Sequence, residues 1–252
     1  MIKLYGPGWE IDNIKAILFD KDGTIIDSHK YWGAIIKRRS KALISELKLD
    51  KSFHQGICYA MGLSLEKQKL LPRGPIALVS RERVIKLLTL FFKKNDVKVS
   101  EKTIDIIFSK VHQDFLKDIF KYVRILPGAK EILIEIKKKN IKTALITSDS
   151  VDNANQIIRH LELEDYFDLI VGRELTSSAK STGASAKLVC KILNVNPSDT
   201  ICIGDAPMDV LMAKNAKLKA CVAVGSGQTP YFELRKETKY SIKKFSDLII
   251  KI

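Results

Sequence analysis

Ala16-Ile17-Leu18-Phe19-Asp20-Lys21-Asp22-Gly23-Thr24-Ile25-Ile26-Asp27 runs four apolar residues into two aspartates one residue apart, then a glycine. A short apolar run closed by turn residues reads as a buried strand. Two acids at its carboxyl end are poor packing material, because an unpaired buried carboxylate is costly. A cation is expected beside them.

Further apolar runs follow at 143–146, 168–171, 201–204 and 220–224, with candidate helices starting near Pro127, Asp152, Gly183 and Ala206. Ala129, Ile132, Leu133 and Ile136 recur at helical spacing, and Lys137-Lys138-Lys139 ends that helix where cations suit its dipole. Strands that alternate with helices and are apolar throughout indicate an α/β fold, a parallel sheet covered on both faces. Residues 28–124 lack the alternation. Segments 31–47, 76–92 and 104–120 show helix-like apolar spacing, Ser100 is a plausible N-cap, and Leu71-Pro72-Arg73-Gly74-Pro75 breaks the pattern as a loop. The expected organisation is an α/β core made of residues 1–27 and 125–252, interrupted by an all-helical domain over 28–124.

Composition bounds the rest. A chain of 252 residues, 46% hydrophobic and 29% charged, fits an ordinary globular protein with a sizeable core. It has no run of 18 apolar residues, so no membrane span is expected, and Gly6-Pro7-Gly8 and Asp12 interrupt any signal peptide. Cys58, Cys190, Cys202 and Cys221 form no CxxC pair and lie in apolar surroundings. They read as buried free thiols in a reducing compartment, which points to the cytoplasm. The net charge of +14 is uneven: residues 28–124 hold 21 Lys and Arg against 9 Asp and Glu, or +12, leaving +2 elsewhere. A lysine-rich solvated surface explains this; an anionic substrate or a nucleic acid would also suit it.

In open α/β sheets ligands bind outside the carboxyl ends of the strands. The first run ends in Asp20 and Asp22, the run at 143–146 in Thr147-Ser148-Asp149, and the run at 201–204 in Asp205-Ala206-Pro207-Met208-Asp209. If these are neighbouring strands, four acids and two hydroxyls converge at one rim. Their repulsion calls for a lysine or a divalent cation, and hard oxygen ligands suit Mg²⁺. The plainer alternative for Asp205 and Asp209, and for Thr147-Ser148-Asp149, is helix capping. An EF-hand loop counted from Asp20 would need glycine sixth and glutamate twelfth, where Ile25 and Tyr31 stand. A DxD metal motif of glycosyltransferase type leaves Thr147 and the second acidic pair unexplained.

The ordered set DKDGT, LITS, a following lysine and GDAPMD resembles the haloacid dehalogenase superfamily, in its phosphoglycolate-phosphatase-like branch. The resemblance spans roughly residues 14–225 and implies a Rossmann-like, doubly wound parallel sheet with an inserted helical cap. It further implies Asp20 as nucleophile and Asp22 as general acid and base. Thr147, Ser148 and Lys180 would bind phosphate, and Mg²⁺ would be held by Asp20, Asp22 and Asp205, with Asp209 and Gly23 in support. Lys187 competes with Lys180, because Ser181-Thr182 replace the proline common after that lysine in this branch. Asp22 itself favours a phosphatase or phosphomutase over transport ATPases and dehalogenases.

The expectation is a Mg²⁺-dependent phosphatase acting on a small phosphorylated metabolite of phosphoglycolate or sugar-phosphate type through an aspartyl phosphate. A phosphomutase of the β-phosphoglucomutase type shares the motifs. A nucleic-acid-binding protein is motivated by the basic insert alone and has no recognisable nucleic-acid motif behind it. Arg73 is the residue best placed by sequence to reach a second anionic group of the substrate, the alternative being an arginine exposed on an ordinary turn.

Overall fold

The computed structural model describes residues 1–76, 78–176 and 178–251. It forms two compact units, Met1–Asp27 with Arg124–Ile252, and Ser28–Val123. The chain opens with an antiparallel hairpin of β1 (Ile2–Gly6) and β2 (Trp9–Ile14), then enters β3 (Ala16–Phe19), whose four residues are all buried. Gly8 makes the hairpin turn at φ +78, in the left-handed region open to glycine.

The unit of residues 28–123 holds α1 (Ser28–Glu46), α2 (Phe53–Ala60), β4 (Leu63–Ser64), β5 (Lys69–Leu70), α3 (Arg81–Lys94) and α4 (Glu101–Leu116). Its own core includes Ile36, Leu43, Ile57, Leu88, Phe92 and Phe108. Ser100 caps α4, accepting from Thr103 N at 3.0 Å. Two expectations need correction. The unit is not all helical, because β4 and β5 pair as an antiparallel hairpin. The third helix starts at Arg81 rather than Ile76, because Pro75 opens a turn and Ser80 supplies the cap. Ala77 lies outside the described residues.

The second part of the core runs through α5 (Ala129–Lys138), β6 (Lys142–Ile146), α6 (Val151–His160), β7 (Leu169–Val171), α7 (Ala184–Ile192) and β8 (Thr200–Gly204). It continues with α8 (Pro207–Ala216), β9 (Ala220–Val224), α9 (Tyr231–Glu237), β10 (Ser241–Ile242) and β11 (Ile249–Lys251). Six strands form one parallel sheet in the order β10-β9-β8-β3-β6-β7. β11 returns to pair with β1 in a separate three-stranded sheet. Side chains alternate across the strands. Leu18, Ala144, Ile146 and Cys202 pack on Ala186 and Val189 of α7 and on Met212 and Ala213 of α8. On the other face Phe19 meets Phe167 edge-on, ring centroids 6.1 Å apart. All four cysteines are buried free thiols. Among the described residues no helix is long and apolar enough to cross a membrane.

Candidate active site

The register of the sheet decides which residues meet. Phe19 pairs with Leu145 on one side and Ile203 on the other. The chains therefore leave the sheet side by side, as Asp20, as Ile146 followed by Thr147, and as Gly204 followed by Asp205. Asp20 N still donates to Ile203 O at 2.9 Å. The chain then turns back: Gly23 takes φ +90 and its N–H donates to Ile26 O at 2.8 Å. A Cβ at residue 23 would overlap the Asp205 carboxylate, so glycine is required there for two reasons.

Asp205 follows β8, and Asp209 sits in the first turn of α8, where its Oδ2 accepts from Ala206 N at 3.1 Å. Asp20, Asp205 and Asp209 each bring one carboxylate oxygen to within 4.8 Å of the others. Lys180, on a short 3-10 turn before α7, reaches into this cluster. Its Nζ contacts Asp20 Oδ1 and lies 2.7 Å from Asp209 Oδ1. Lys187 lies elsewhere, lining a surface concavity with Lys15 and Lys191.

Asp22 stands outside the three-acid group, with Lys21 Nζ 3.1 Å from its Oδ1. Thr147 is buried; its N–H donates to Val171 O at 2.9 Å and its Oγ1 accepts from Asp149 N at 3.1 Å. Ser148 is exposed. The cap of α6 is Ser150, which accepts from Asn153 N at 3.2 Å, rather than a residue of Thr147-Ser148-Asp149. Arg73 belongs to the helical unit, exposed on the turn after β5.

Sequence reasoning misses the loop after β9. Ser226 Oγ donates to Gly23 O at 2.7 Å, and Gln228 N donates to Asp205 Oδ2 at 3.2 Å. At Gly227 a Cβ would overlap the Asp205 side chain. The available signal is Gly225-Ser226-Gly227 directly after a buried strand, the pattern of a backbone held against a site.

Burial sets the charge balance. It pushes the carboxyls of Asp20 and Asp22 above the usual aspartate range, with Lys180 opposing the shift at Asp20 and Lys21 at Asp22. Burial, reinforced by Asp20 and Asp209, pushes Asp205 well up. Burial takes Asp209 to about 6 against the pull of Lys180. Burial also disfavours charge on Lys180, but Asp20 and Asp209 outweigh it and raise the amine above the usual lysine range. With all three carboxylates ionised, as metal ligation requires, one ammonium leaves two negative charges unmatched. An all-oxygen donor set with that deficit fits a divalent cation such as Mg²⁺, with Asp20 and Asp205 able to hold it and Asp209 adjacent.

The family model for haloacid dehalogenase-like hydrolases matches residues 14–217. A protein named pyrophosphatase PpaX from Caldanaerobacter subterraneus is 27% identical over 226 residues, covering 89% of this chain and 87% of that one. The phosphoglycolate phosphatase of Aquifex aeolicus is 25% identical over 237 residues, 94% of this chain and 95% of its own. Among solved structures, a predicted phosphoglycolate phosphatase from Haemophilus somnus superposes with a TM-score of 0.73 at 16% identity. That match covers 94% of this chain and 97% of the other, and it shows a shared fold.

Proposed function

The chain belongs to the haloacid dehalogenase-like hydrolases, and on that premise we propose a Mg²⁺-dependent phosphatase that cleaves a small phosphate monoester through an aspartyl phosphate. The observation that carries this reading is the Lys180 ammonium drawn onto Asp20 beside Asp205 and Asp209 at the carboxyl edge of the sheet. That edge is where this class of fold binds ligands.

Asp20 is the nucleophile. One of its carboxylate oxygens attacks phosphorus, the phosphorus–ester oxygen bond breaks, and Asp22 gives its proton to the leaving oxygen. Burial favours a protonated Asp22 at the start, as this role needs. Water then attacks phosphorus in the acyl phosphate. Asp22 takes the proton, the bond to Asp20 breaks and inorganic phosphate leaves. Lys180 steadies the phosphoryl oxygens throughout, and Thr147 Oγ1 offers them a hydrogen bond. Asp20 and Asp205 would hold a Mg²⁺, which when bound would supply Lewis-acid stabilisation to the same oxygens.

Relatives named for phosphoglycolate and pyrophosphate support small, doubly anionic substrates. The charge of +12 on residues 28–124 suits such anions. A screen of phosphorylated metabolites for inorganic phosphate release tests the proposal. Stoichiometric release identifies a phosphatase, whereas isomerised sugar phosphate without release would identify a phosphomutase.

A further inference from the structure

The mechanism proposed above gives Lys21 no part, yet its side chain is wholly removed from solvent, at 0% exposure. A buried ammonium is costly unless it is paired. Two carboxylates meet it: Asp22 Oδ1 at 3.1 Å and Asp149 Oδ2 at 3.3 Å. Asp149 is itself fixed. Its Oδ1 accepts from Ser150 N at 2.9 Å, its Oδ2 accepts from Asn153 Nδ2, and its N–H donates to Thr147 Oγ1 at 3.1 Å. A continuous polar chain therefore runs from the first turn of α6 through Asp149 and Lys21 to Asp22. The two lysines of the site divide its acids, Lys180 serving Asp20 and Asp209, Lys21 serving Asp22 and Asp149.

We propose that Lys21 is a positioning residue, which through Asp149 holds the Asp22 carboxyl where it exchanges a proton with the leaving oxygen. This rests on the reading of Asp22 as general acid and base. The side chain of Asp22 keeps 18% exposure, so without Lys21 it has room to turn toward solvent. A misplaced donor slows the step that needs its proton, and slows it most where the leaving oxygen is a poor leaving group.

Phenyl phosphate and p-nitrophenyl phosphate differ little in shape but widely in leaving-group quality, and so report on Asp22. In Lys21→Met, kcat for phenyl phosphate should fall about tenfold or more, the loss for p-nitrophenyl phosphate should be much smaller, and both KM values should hold. Asp149→Asn, which keeps the shape of the side chain, should change kcat in the same sense. The double variant should be no worse than Lys21→Met, because both changes act through one contact. Should Lys21→Met fail to fold, the selectivity of Asp149→Asn carries the test. Equal losses on the two substrates, additive losses in the double variant, or no loss at all would overturn the proposal. Wild-type protein separates the two readings. If neither these esters nor any metabolite of the phosphate-release screen yields phosphate, the phosphatase assignment fails and takes this proposal with it. If wild-type protein turns both esters over while the variants show no selectivity, the role of Lys21 alone fails.

Discussion

Lys180 Nζ lies 2.7 Å from Asp209 Oδ1 while also contacting Asp20 Oδ1, so one buried ammonium ties the end of β3 to the first turn of α8. Removing it leaves three crowded carboxylates without that ammonium and, on the proposed mechanism, takes one donor from the phosphoryl oxygens. Lys180→Met should lower kcat about a hundredfold or more, the scale of one lost electrostatic stabiliser. Lys187→Met should stay near wild type, because Lys187 lines a different surface. Steady-state kinetics on p-nitrophenyl phosphate measures both, and a reversed pattern would exchange the two assignments.

Asp209 has its carboxyl raised to about 6, from an ordinary value of 3.8. A carboxyl whose folded value exceeds its unfolded value stabilises the fold below the unfolded value and loses that contribution as pH rises through the folded one. For Asp209 this window runs from 3.8 to about 6, and Asp205, which burial also raises, contributes with the same sign. Metal-free protein should therefore forfeit stability from these groups as pH climbs. Mg²⁺ binds ionised carboxylates, so it should raise Tm clearly at about pH 7.5 and much less at about pH 5. Thermal melts in EDTA and in Mg²⁺ check this, and equal increments at both pH values would contradict it.

Gly227 packs against the Asp205 side chain so closely that a Cβ would overlap it. Gly227→Ala should push the Asp205 carboxylate aside. The Mg²⁺ concentration for half-maximal activity should then rise about tenfold, roughly one displaced charge-assisted contact. A Mg²⁺ titration of the variant reads this directly, and a wild-type titration curve would remove Asp205 from the metal's ligands.

The strands β3, β6, β8 and β9 are legible in sequence because each holds a run of three or more consecutive apolar residues, the mark of a strand covered on both faces. The hairpin of β1 and β2 is not, since its exposed positions dilute the pattern and its other partner, β11, lies at the far end of the chain. Asp20, Asp22 and Asp205 stand out because acids at the ends of apolar runs conflict with packing. Lys180 is different: it lies on an aperiodic turn, and only the family resemblance separates it from Lys187. The burial of Lys21 leaves no trace in sequence, where a lysine next to a turn reads as solvent-facing. The geometry alone shows it paired.

Arg73 occupies a constrained turn of the helical unit, in which Gly74 N donates to Leu71 O at 2.9 Å and the backbones of Gly62 and Gly74 leave no room for a Cβ. A fixed turn presents a guanidinium at low entropic cost. Arg73→Ala should raise KM for a doubly anionic natural substrate about tenfold, with p-nitrophenyl phosphate almost unchanged. Equal losses on both substrates would assign Arg73 to folding or to phosphate binding. No loss on either would leave it to solvent.

The nucleophile is the centre of the account, and Asp20→Asn tests it most directly, because the change keeps the shape and removes the attacking charge. Phosphate release from p-nitrophenyl phosphate in saturating Mg²⁺ should fall by several orders of magnitude, with Tm still showing a cooperative fold. Turnover by purified Asp20→Asn at the wild-type rate would contradict aspartyl-phosphate chemistry at this site.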